Sequence, residues 1–270
     1  MKINRTNLIK LVIAVLVMAI TFVDIAMNEN FSKAAGGKFE YKIFTPVMKK
    51  EASKIKNEVS IPATVVKPQT GKKNLVDSFS SQPISKEIAK RIVGKSFVNN
   101  KQISIEQLRY LKVLYVGFDG RENVGEMIVN AKVATDVLEI FKELYLAKYP
   151  IEKIRLVDDY NASDEASMND NNTSSFCYRE ITGGGIISLH GLGLAIDINP
   201  VQNPYIKTKG NIVEQVLPKL GIDNVKRNKN VKGLIIKGDA CYEAFIERGW
   251  KWAGDWANPK DYQHFYKELN

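Results

Sequence analysis

An aspartate inside an apolar run is the feature that most constrains how this chain can fold. In "SLHGLGLAIDINP", residues 188–200, Asp197 follows Leu, Ala and Ile residues, and His190 stands seven positions before it. Moving a carboxylate from water into an apolar interior costs several kcal/mol unless donors or a cation compensate its charge. The segment therefore predicts a buried site that contains a positive partner for Asp197.

The two histidines of the chain both stand near an aspartate. His264 lies in "KDYQHFY", three residues after Asp261. Catalytic zinc commonly has three protein ligands of the His and Asp type and keeps one position open, and His190, Asp197 and His264 supply such a set. Asp261 would then remain free to act as a general base toward the attacking water. A single histidine is more often structural than a ligand, so this prediction requires the two to act together.

A strand across "GLAID" would present Gly193, Ala195 and Asp197 on one face, because side chains alternate along a strand. Small residues would then leave space for a ligand in front of the carboxylate. Ser188, His190 and Asp197 could also form a catalytic triad, but no oxyanion-hole signal accompanies them. The sequence has neither an HExxH helix nor a GxSxG turn, which excludes the thermolysin-like and α/β-hydrolase motifs.

Helix and strand signals are mixed along the chain without a regular alternation. Apolar periodicity and end signals predict helices over "ISKEIAKRIVGKSF", with Ser85 as N-cap, "AKVATDVLEIFKELYLAKYP" and "ACYEAFIERG". They predict strands over "LRYLKVLYVGFDG", "GEMIVN", "IEKIRLVDDY", "GLAIDIN", "VKGLIIKG" and "YQHFYKEL", and a polar loop over "NASDEASMNDNNTSS". We therefore predict an α+β domain around a central antiparallel or mixed sheet with flanking helices.

The N-terminus has the pattern of an export signal. "MKINRTNLIK" is basic, and residues 11–23 are apolar apart from Thr21. This pattern predicts a signal peptide or signal-anchor over residues 1–27. No small-x-small cleavage site follows the apolar run directly, which favours an uncleaved anchor with the bulk of the chain outside the membrane.

The positive charge is concentrated in the front third of the chain. The net charge is +9, and residues 1–84 hold 13 basic against 6 acidic side chains. Residues 28–83 are rich in Lys, Ser and Asn with scattered prolines, which predicts a basic spacer with little fixed structure before a domain over residues 84–270. A basic spacer suits anionic lipid or an anionic cell-wall polymer. No nucleic-acid-binding motif is recognisable, so a nucleic acid is not the expected partner.

The two cysteines, Cys177 and Cys241, leave two alternatives open. They could pair in an exported protein, or they could be two ordinary, partly buried thiols. Neither belongs to a CxxC pair, which excludes a cysteine-based metal site.

Three motifs together resemble a known family. "SLHGLGLAIDINP" is similar to the SxHxxGxAxD signature of the zinc peptidases that cut peptidoglycan stem peptides. "GWKWAGDWANPKDYQHF" resembles the family's second signature, a Trp-rich segment that leads to an acidic residue and the last histidine. "NNTSSFCYRE" resembles the upstream segment that ends in a substrate-facing arginine. The resemblance runs from about Ile84 to the C-terminus.

The resemblance implies a role for each matching residue. The metal ligands would be His190, Asp197 and His264, and Asp261 would be the general acid/base. Arg179 would stabilise the oxyanion or hold a substrate carboxylate. Ser188 would support the site or contact substrate. The tryptophans at positions 250, 252 and 256 would wall the pocket or pack in the core, and Ala253 departs from a glycine that is frequent in the family.

For the whole protein, the resemblance implies the zinc domain shared by these D,D-peptidases and the hedgehog signalling domain. It implies a D-alanyl-D-alanine carboxypeptidase, with an L-alanyl-D-glutamate endopeptidase or a non-catalytic wall-binding module as alternatives. Its substrates, the stem peptides of peptidoglycan, lie outside the membrane. We therefore expect an extracytoplasmic protein, either anchored through its N-terminal segment or secreted.

Overall fold

The computed structural model describes residues 78–181 and 184–269. The predicted anchor, residues 1–27, lies outside these ranges, as does nearly all of the predicted spacer, residues 28–83. Across the described residues, no helix combines the length and apolar character needed to cross a bilayer.

The described residues contain four short to medium helices and eleven strands. The helices are α1 Lys86–Ile92, α2 Ala134–Leu146, α3 Asp164–Asn169 and α4 Ala240–Ile246. The strands are β1 Ser80–Pro83, β2 Leu108–Val116, β3 Glu122–Asn130, β4 Lys153–Ile154, β5 Asn172–Thr173, β6 Ala195–Asp197, β7 Tyr205–Lys209, β8 Ile212–Leu217, β9 Lys251–Trp252, β10 Lys260–Asp261 and β11 His264–Tyr266.

These strands form several small sheets rather than one central sheet. Three are three-stranded, with the orders β1-β2-β3, β10-β7-β8 and β6-β11-β9, and β4 pairs with β5 in a two-stranded parallel sheet. Six of the strands are only two or three residues long, because turns and 3-10 segments interrupt the chain between them. The predicted mixture of helices and strands is confirmed, whereas the predicted single central sheet is wrong.

Strand β2 divides the core into two clusters. Its odd-numbered residues, such as Leu111 and Val113, belong to the main cluster with α2, whereas Leu108 and Tyr110 face a second cluster with Ile92 of α1. Alternation of side chains along a strand buries both faces in this way. The main cluster also contains residues of β6, α4 and β11, so the strands that carry the predicted site lie directly on the core.

The strongest periodic signals in the sequence are confirmed. Helix α1 begins after Ser85, whose side chain accepts a hydrogen bond from Ile88 N (3.3 Å). The β2–β3 hairpin closes with a hydrogen bond from Gly117 N to Arg121 O (2.7 Å). Helix α2 lies within its predicted segment, and its apolar face is fully buried.

Three weaker predictions are wrong. The strand predicted over residues 231–238 is absent, because the backbone of Ile235 is bound by the side chains of Asn203 and Arg227 instead of a neighbouring strand. The polar loop predicted over residues 161–175 contains α3, which Ser163 caps by accepting from Ala166 N. The segment 151–160 forms only the two-residue β4 and a 3-10 turn.

The N-terminal boundary of the folded region also needs correction. Residues 80–83, which the sequence assigned to the spacer, form β1 and pair antiparallel with β2 from Ser80↔Lys112 to Pro83↔Arg109. The ring of Phe79 lies 6.0 Å from that of Tyr145, edge to face. The "SSQPIS" stretch carries a proline, which has no N–H to donate. An edge strand tolerates a proline at a position where the backbone N–H would point away from the sheet.

Both cysteines are buried and free. The thiol of Cys177 lies 3.7 Å from the carbonyl oxygen of Ala162. The alternative of two ordinary buried thiols is therefore the correct one for Cys177 and Cys241.

Candidate metal centre and active site

Two of the predicted ligands face each other on neighbouring strands. Strands β6 and β11 pair antiparallel, and the register places His264 directly opposite Asp197. Directly opposed residues point their side chains to the same face of a sheet. On its other side Asp197 exchanges two backbone hydrogen bonds with Ser174 (2.9 and 3.1 Å). The backbone of Asp197 is thus held from both sides.

The third predicted ligand lies on a 3-10 turn, Leu189–Leu192, that precedes β6. The side-chain oxygen of Ser188 accepts from His190 N (3.3 Å) and caps this turn. The turn ends at Gly193, whose left-handed φ of 66° redirects the chain into β6. His190 is thereby brought over the carboxylate of Asp197.

The role of Gly193 differs from the predicted one, which was to leave space for a ligand in front of Asp197. It lies before β6 rather than on its ligand-facing side, and a Cβ there would be 2.5 Å from Asn130 N and 2.9 Å from the carbonyl carbon of Val129. Its missing side chain therefore permits close packing against β3, and it does not open the approach to Asp197.

A Gly193→Ala substitution should lower the free energy of unfolding by about 2–4 kcal/mol, because a left-handed alanine is strained and its Cβ would meet backbone atoms that cannot turn away. Urea unfolding would measure this. Gly210→Ala is the matched control, since Gly210 also has a positive φ of 58° but has open space around it, and about 1 kcal/mol is expected there. Equal losses for the two variants would contradict the close-packing explanation.

The side chains of the three predicted ligands converge at one point. His190 Nε2 lies 3.2 Å from Asp197 Oδ2 and 3.1 Å from His264 Nδ1, and His264 Nδ1 lies 2.9 Å from Asp197 Oδ1. His190 and Asp197 are each only 4% exposed. Among the described residues, these three form the group of side chains that could hold a metal ion.

The tautomer of His190 explains why this convergence suits a cation. Its Nδ1 donates to the carbonyl oxygen of Ser175 (2.7 Å), so a neutral imidazole presents the lone pair of Nε2 to a carboxylate oxygen and to a second imidazole nitrogen. Lone pairs that face one another in a buried place repel unless a cation lies between them. Ligands at about 2.0–2.2 Å around tetrahedral zinc are about 3.3–3.6 Å apart, close to the separations observed. The donor set therefore fits a divalent metal.

The electrostatics of the three residues are strongly coupled. Burial alone would raise the pKa of Asp197, but the attraction of His190 and hydrogen bonds from both imidazoles hold that pKa well below its ordinary value. Burial opposes protonation of His190, yet the charge of Asp197 outweighs it and raises the pKa of His190. The site thus favours an ionised Asp197, whose charge is balanced either by a proton on His190 Nε2 or by a metal ion in the place of that proton.

Asp261 lies beside this group without belonging to it. It sits on β10, opposite Tyr205 of β7. Gln263 Nε2 donates to Asp261 Oδ1 (3.2 Å). Burial, together with the charge of Asp197 and against the opposing effect of His264, raises the pKa of Asp261 to about 6. A carboxylate with an elevated pKa beside a candidate metal centre has the properties of a general acid/base.

Arg179 lies close to the same group. Its charge acts on His190, where it lowers the pKa, and its carbonyl oxygen accepts from Ser188 N (3.0 Å). The guanidinium is not free, since Nη2 lies 2.7 Å from Asp164 Oδ2. The side chain of Arg179 is one third exposed (32%), so part of it can reach a ligand.

The burial of Ser188 and of the three tryptophans indicates which of them can contact a ligand. Ser188 is buried and caps the turn of His190, which favours a supporting role over direct contact with a ligand. Trp250 and Trp252 lie in the core. Trp256 is 39% exposed, and its ring centroid lies 6.0 Å from that of His264, so of the three tryptophans it is the one that can form a wall of the site.

Sequence reasoning missed three residues of the site. Asp164 lies on a segment interpreted as a loop, although Ser163 before it is a usable N-cap signal. Gln263 lies between Tyr262 and His264 and is only 2% exposed, which the alternation of a strand through this segment could have revealed. Ser175 acts through its backbone carbonyl, for which the sequence carries no signal.

Comparison with known families agrees with the resemblance found in the motifs. Residues 182–267 match the model of a family described as D-alanyl-D-alanine carboxypeptidase. The match confirms that this part of the chain is similar to the zinc peptidases of peptidoglycan, and it includes the three converging residues and Asp261 but not Arg179. No curated protein and no solved structure matches the chain.

Proposed function

We propose, from the family match over residues 182–267, that the protein is a zinc-dependent metallopeptidase that hydrolyses peptidoglycan stem peptides. The observation that carries the proposal is the convergence of His190 Nε2, Asp197 and His264 Nδ1 in the matched segment. Two imidazoles and one carboxylate are a ligand set that zinc uses in catalytic sites. The family match supports a peptidase directly, whereas the metal and the bond that is cut are proposals.

The three ligands would hold the metal, and Ser175 would fix the tautomer of His190 that leaves Nε2 available. A hydrogen-bond acceptor on the ring nitrogen that does not bind the metal orients a histidine ligand and increases its basicity. When bound, zinc supplies a Lewis acid that polarises a peptide carbonyl and acidifies water. The register of β6 and β11 would set the distance between the other two ligands, Asp197 and His264.

Asp261 and Arg179 would perform the remaining steps. Asp261 would accept a proton from the attacking water and later donate it to the leaving amine, as its elevated pKa allows. The guanidinium of Arg179 would donate hydrogen bonds to the substrate oxygen on which negative charge develops. Trp256 would form one wall of the pocket.

We propose removal of a terminal D-alanine as the reaction, in agreement with the description of the matching family. One observation favours the alternative, cleavage of the L-alanyl-D-glutamate bond. Arg179 already has a carboxylate partner in Asp164, whereas a terminal substrate carboxylate is best held by an uncompensated cation. A non-catalytic wall-binding module is disfavoured because the ligand set and Asp261 are all present.

The location and partners of the protein are proposed from residues 1–83 alone. A basic and then apolar N-terminus supports an extracytoplasmic enzyme held at the membrane. The basic composition of residues 28–83 supports attraction to an anionic cell-wall polymer. Attachment to the membrane and attraction to the wall polymer would both bring the enzyme to stem peptides outside the membrane.

Incubation of the full chain with purified muropeptides tests the proposal. We expect products shortened by one alanine, identified by mass spectrometry, with hydrolysis lost after treatment with a chelator and restored by added zinc. Products split between L-alanine and D-glutamate would assign the endopeptidase instead. Binding to muropeptides without any chelator-sensitive product would reject the enzyme and leave the wall-binding module.

A further inference from the structure

Helix α3 places a carboxylate against the arginine of the candidate active site. Asp164 is the first residue of this helix, which Ser163 caps through a hydrogen bond from Ala166 N (3.2 Å). Asp164 Oδ2 lies 2.7 Å from Arg179 Nη2, and both side chains are about two thirds buried. The charges of both residues act on His190 in opposite directions, so the pair lies within electrostatic reach of the predicted metal centre.

The ion pair with Asp164 leaves part of the Arg179 guanidinium exposed. Asp164 occupies Nη2, whereas Arg179 Nε is buried and has no hydrogen-bond partner among the residues that the structure describes. The side chain of Arg179 is 32% exposed, and an arginine held from one side can offer the exposed part of its guanidinium in a fixed direction.

The backbone of Arg179 is fixed independently of its side chain. Its carbonyl oxygen accepts from Ser188 N, and its backbone atoms N and O would each lie 3.3 Å from a Cβ added at Gly191. A fixed backbone does not by itself orient a long side chain with several rotatable bonds, because ordering such a side chain costs conformational entropy. Asp164 is the described side chain that forms an ion pair with this guanidinium.

We propose that Asp164 is a positioning residue, which holds the guanidinium of Arg179 by Nη2 so that the exposed part of the guanidinium meets a carbonyl or carboxylate oxygen of the substrate. This inference rests on the proposed function for its catalytic consequence, but the orientation of Arg179 can be measured without activity. Asp164 itself touches neither substrate nor metal in this arrangement. It acts only through Arg179.

Two measurements on an Asp164→Asn variant test the proposal. In an NMR spectrum of arginine Nε–H groups, with the Arg179 signal assigned through Arg179→Lys, we expect that signal to shift or broaden. In the hydrolysis assay we expect kcat to fall by about 10–100-fold with a smaller change in KM, because the contact of Arg179 is made mainly in the transition state. Zinc content and melting temperature should be unchanged, and Asp164→Glu should restore part of the loss.

Asp170→Asn is the matched control. Asp170 lies at the other end of α3 and binds Lys153 and Tyr160, so its loss should leave both the Arg179 signal and kcat unchanged. In an Arg179→Ala background, Asp164→Asn should cause no further loss of kcat. An unchanged Arg179 signal in Asp164→Asn would overturn the proposal whether or not the enzyme is active, and an equal loss of kcat with and without Arg179 would overturn it as well. Absence of hydrolysis by the unmodified protein would reject the proposed function alone.

Discussion

An Asp197→Asn variant is expected to lose its bound zinc and nearly all peptidase activity, with kcat/KM lower by about 10³-fold. Asparagine preserves the volume of the side chain but removes the charge that compensates the cation. It would also leave two buried imidazoles without the carboxylate that lies 2.9 and 3.2 Å from them. Zinc content measured by mass spectrometry, together with muropeptide hydrolysis, would check the prediction.

Asp158→Asn is the control for this variant. Asp158 is also buried, but it accepts from the backbone and the side chain of Ser96 (3.1 and 2.8 Å) and does not belong to the group of three converging ligands. Its replacement should lower stability while the zinc content stays at that of the unmodified protein. Retention of stoichiometric zinc by Asp197→Asn, or an equal loss of zinc in both variants, would be incompatible with Asp197 as a ligand.

An Asp261→Asn variant should retain zinc and lose activity. General acid–base catalysis contributes about 10²–10⁴-fold, so we expect kcat to fall by about 10³-fold with little change in KM. The amide can still bind Gln263, but it can neither accept nor donate the catalytic proton. Zinc should remain because Asp261 lies outside the group of three converging donors. Steady-state kinetics and zinc analysis on the same preparation would separate the two effects.

Asp255→Asn is the control for Asp261→Asn, because Asp255 lies six residues before Asp261 in the same C-terminal segment. Asp255 is partly exposed and forms an ion pair with Lys237 (2.7 Å), a contact that contributes little to stability or catalysis. Its replacement should change kcat by less than about twofold. If Asp261→Asn were as active as Asp255→Asn, Asp261 could not be the general base. If it lost zinc in proportion to activity, Asp261 would be a ligand instead.

The sequence was most informative where a residue type is chemically costly in its surroundings. Asp197 in an apolar run requires compensation whatever the fold, and only two histidines were available to provide it. The three residues do meet, and the register of β6 and β11 places two of them opposite each other. The long amphipathic helix α2 and the β2–β3 hairpin were predictable for a related reason, since burial of a repeating apolar face dominates their formation.

The sequence was least informative where backbone contacts between distant segments decide the structure. The bond from His190 to the carbonyl of Ser175 and the bond from Ile235 N to the side chain of Asn203 depend on tertiary packing, and any residue type can supply a backbone carbonyl. Short strands such as β9 and β10 have two residues each, too few for a periodic pattern. Asp164 could be assigned a role only after its distance to Arg179 was known.

The register of β6 and β11 has a consequence for how this enzyme could diversify. Asp197 and His264 are 67 positions apart in the chain, yet their separation in space is set by two three-residue strands. Insertions or deletions in the hairpin and turns between them would leave the ligands opposed, whereas one extra residue within either strand would turn a ligand to the wrong face. The surroundings of the candidate metal centre could therefore change through the length of the intervening loops while its ligand set stays intact.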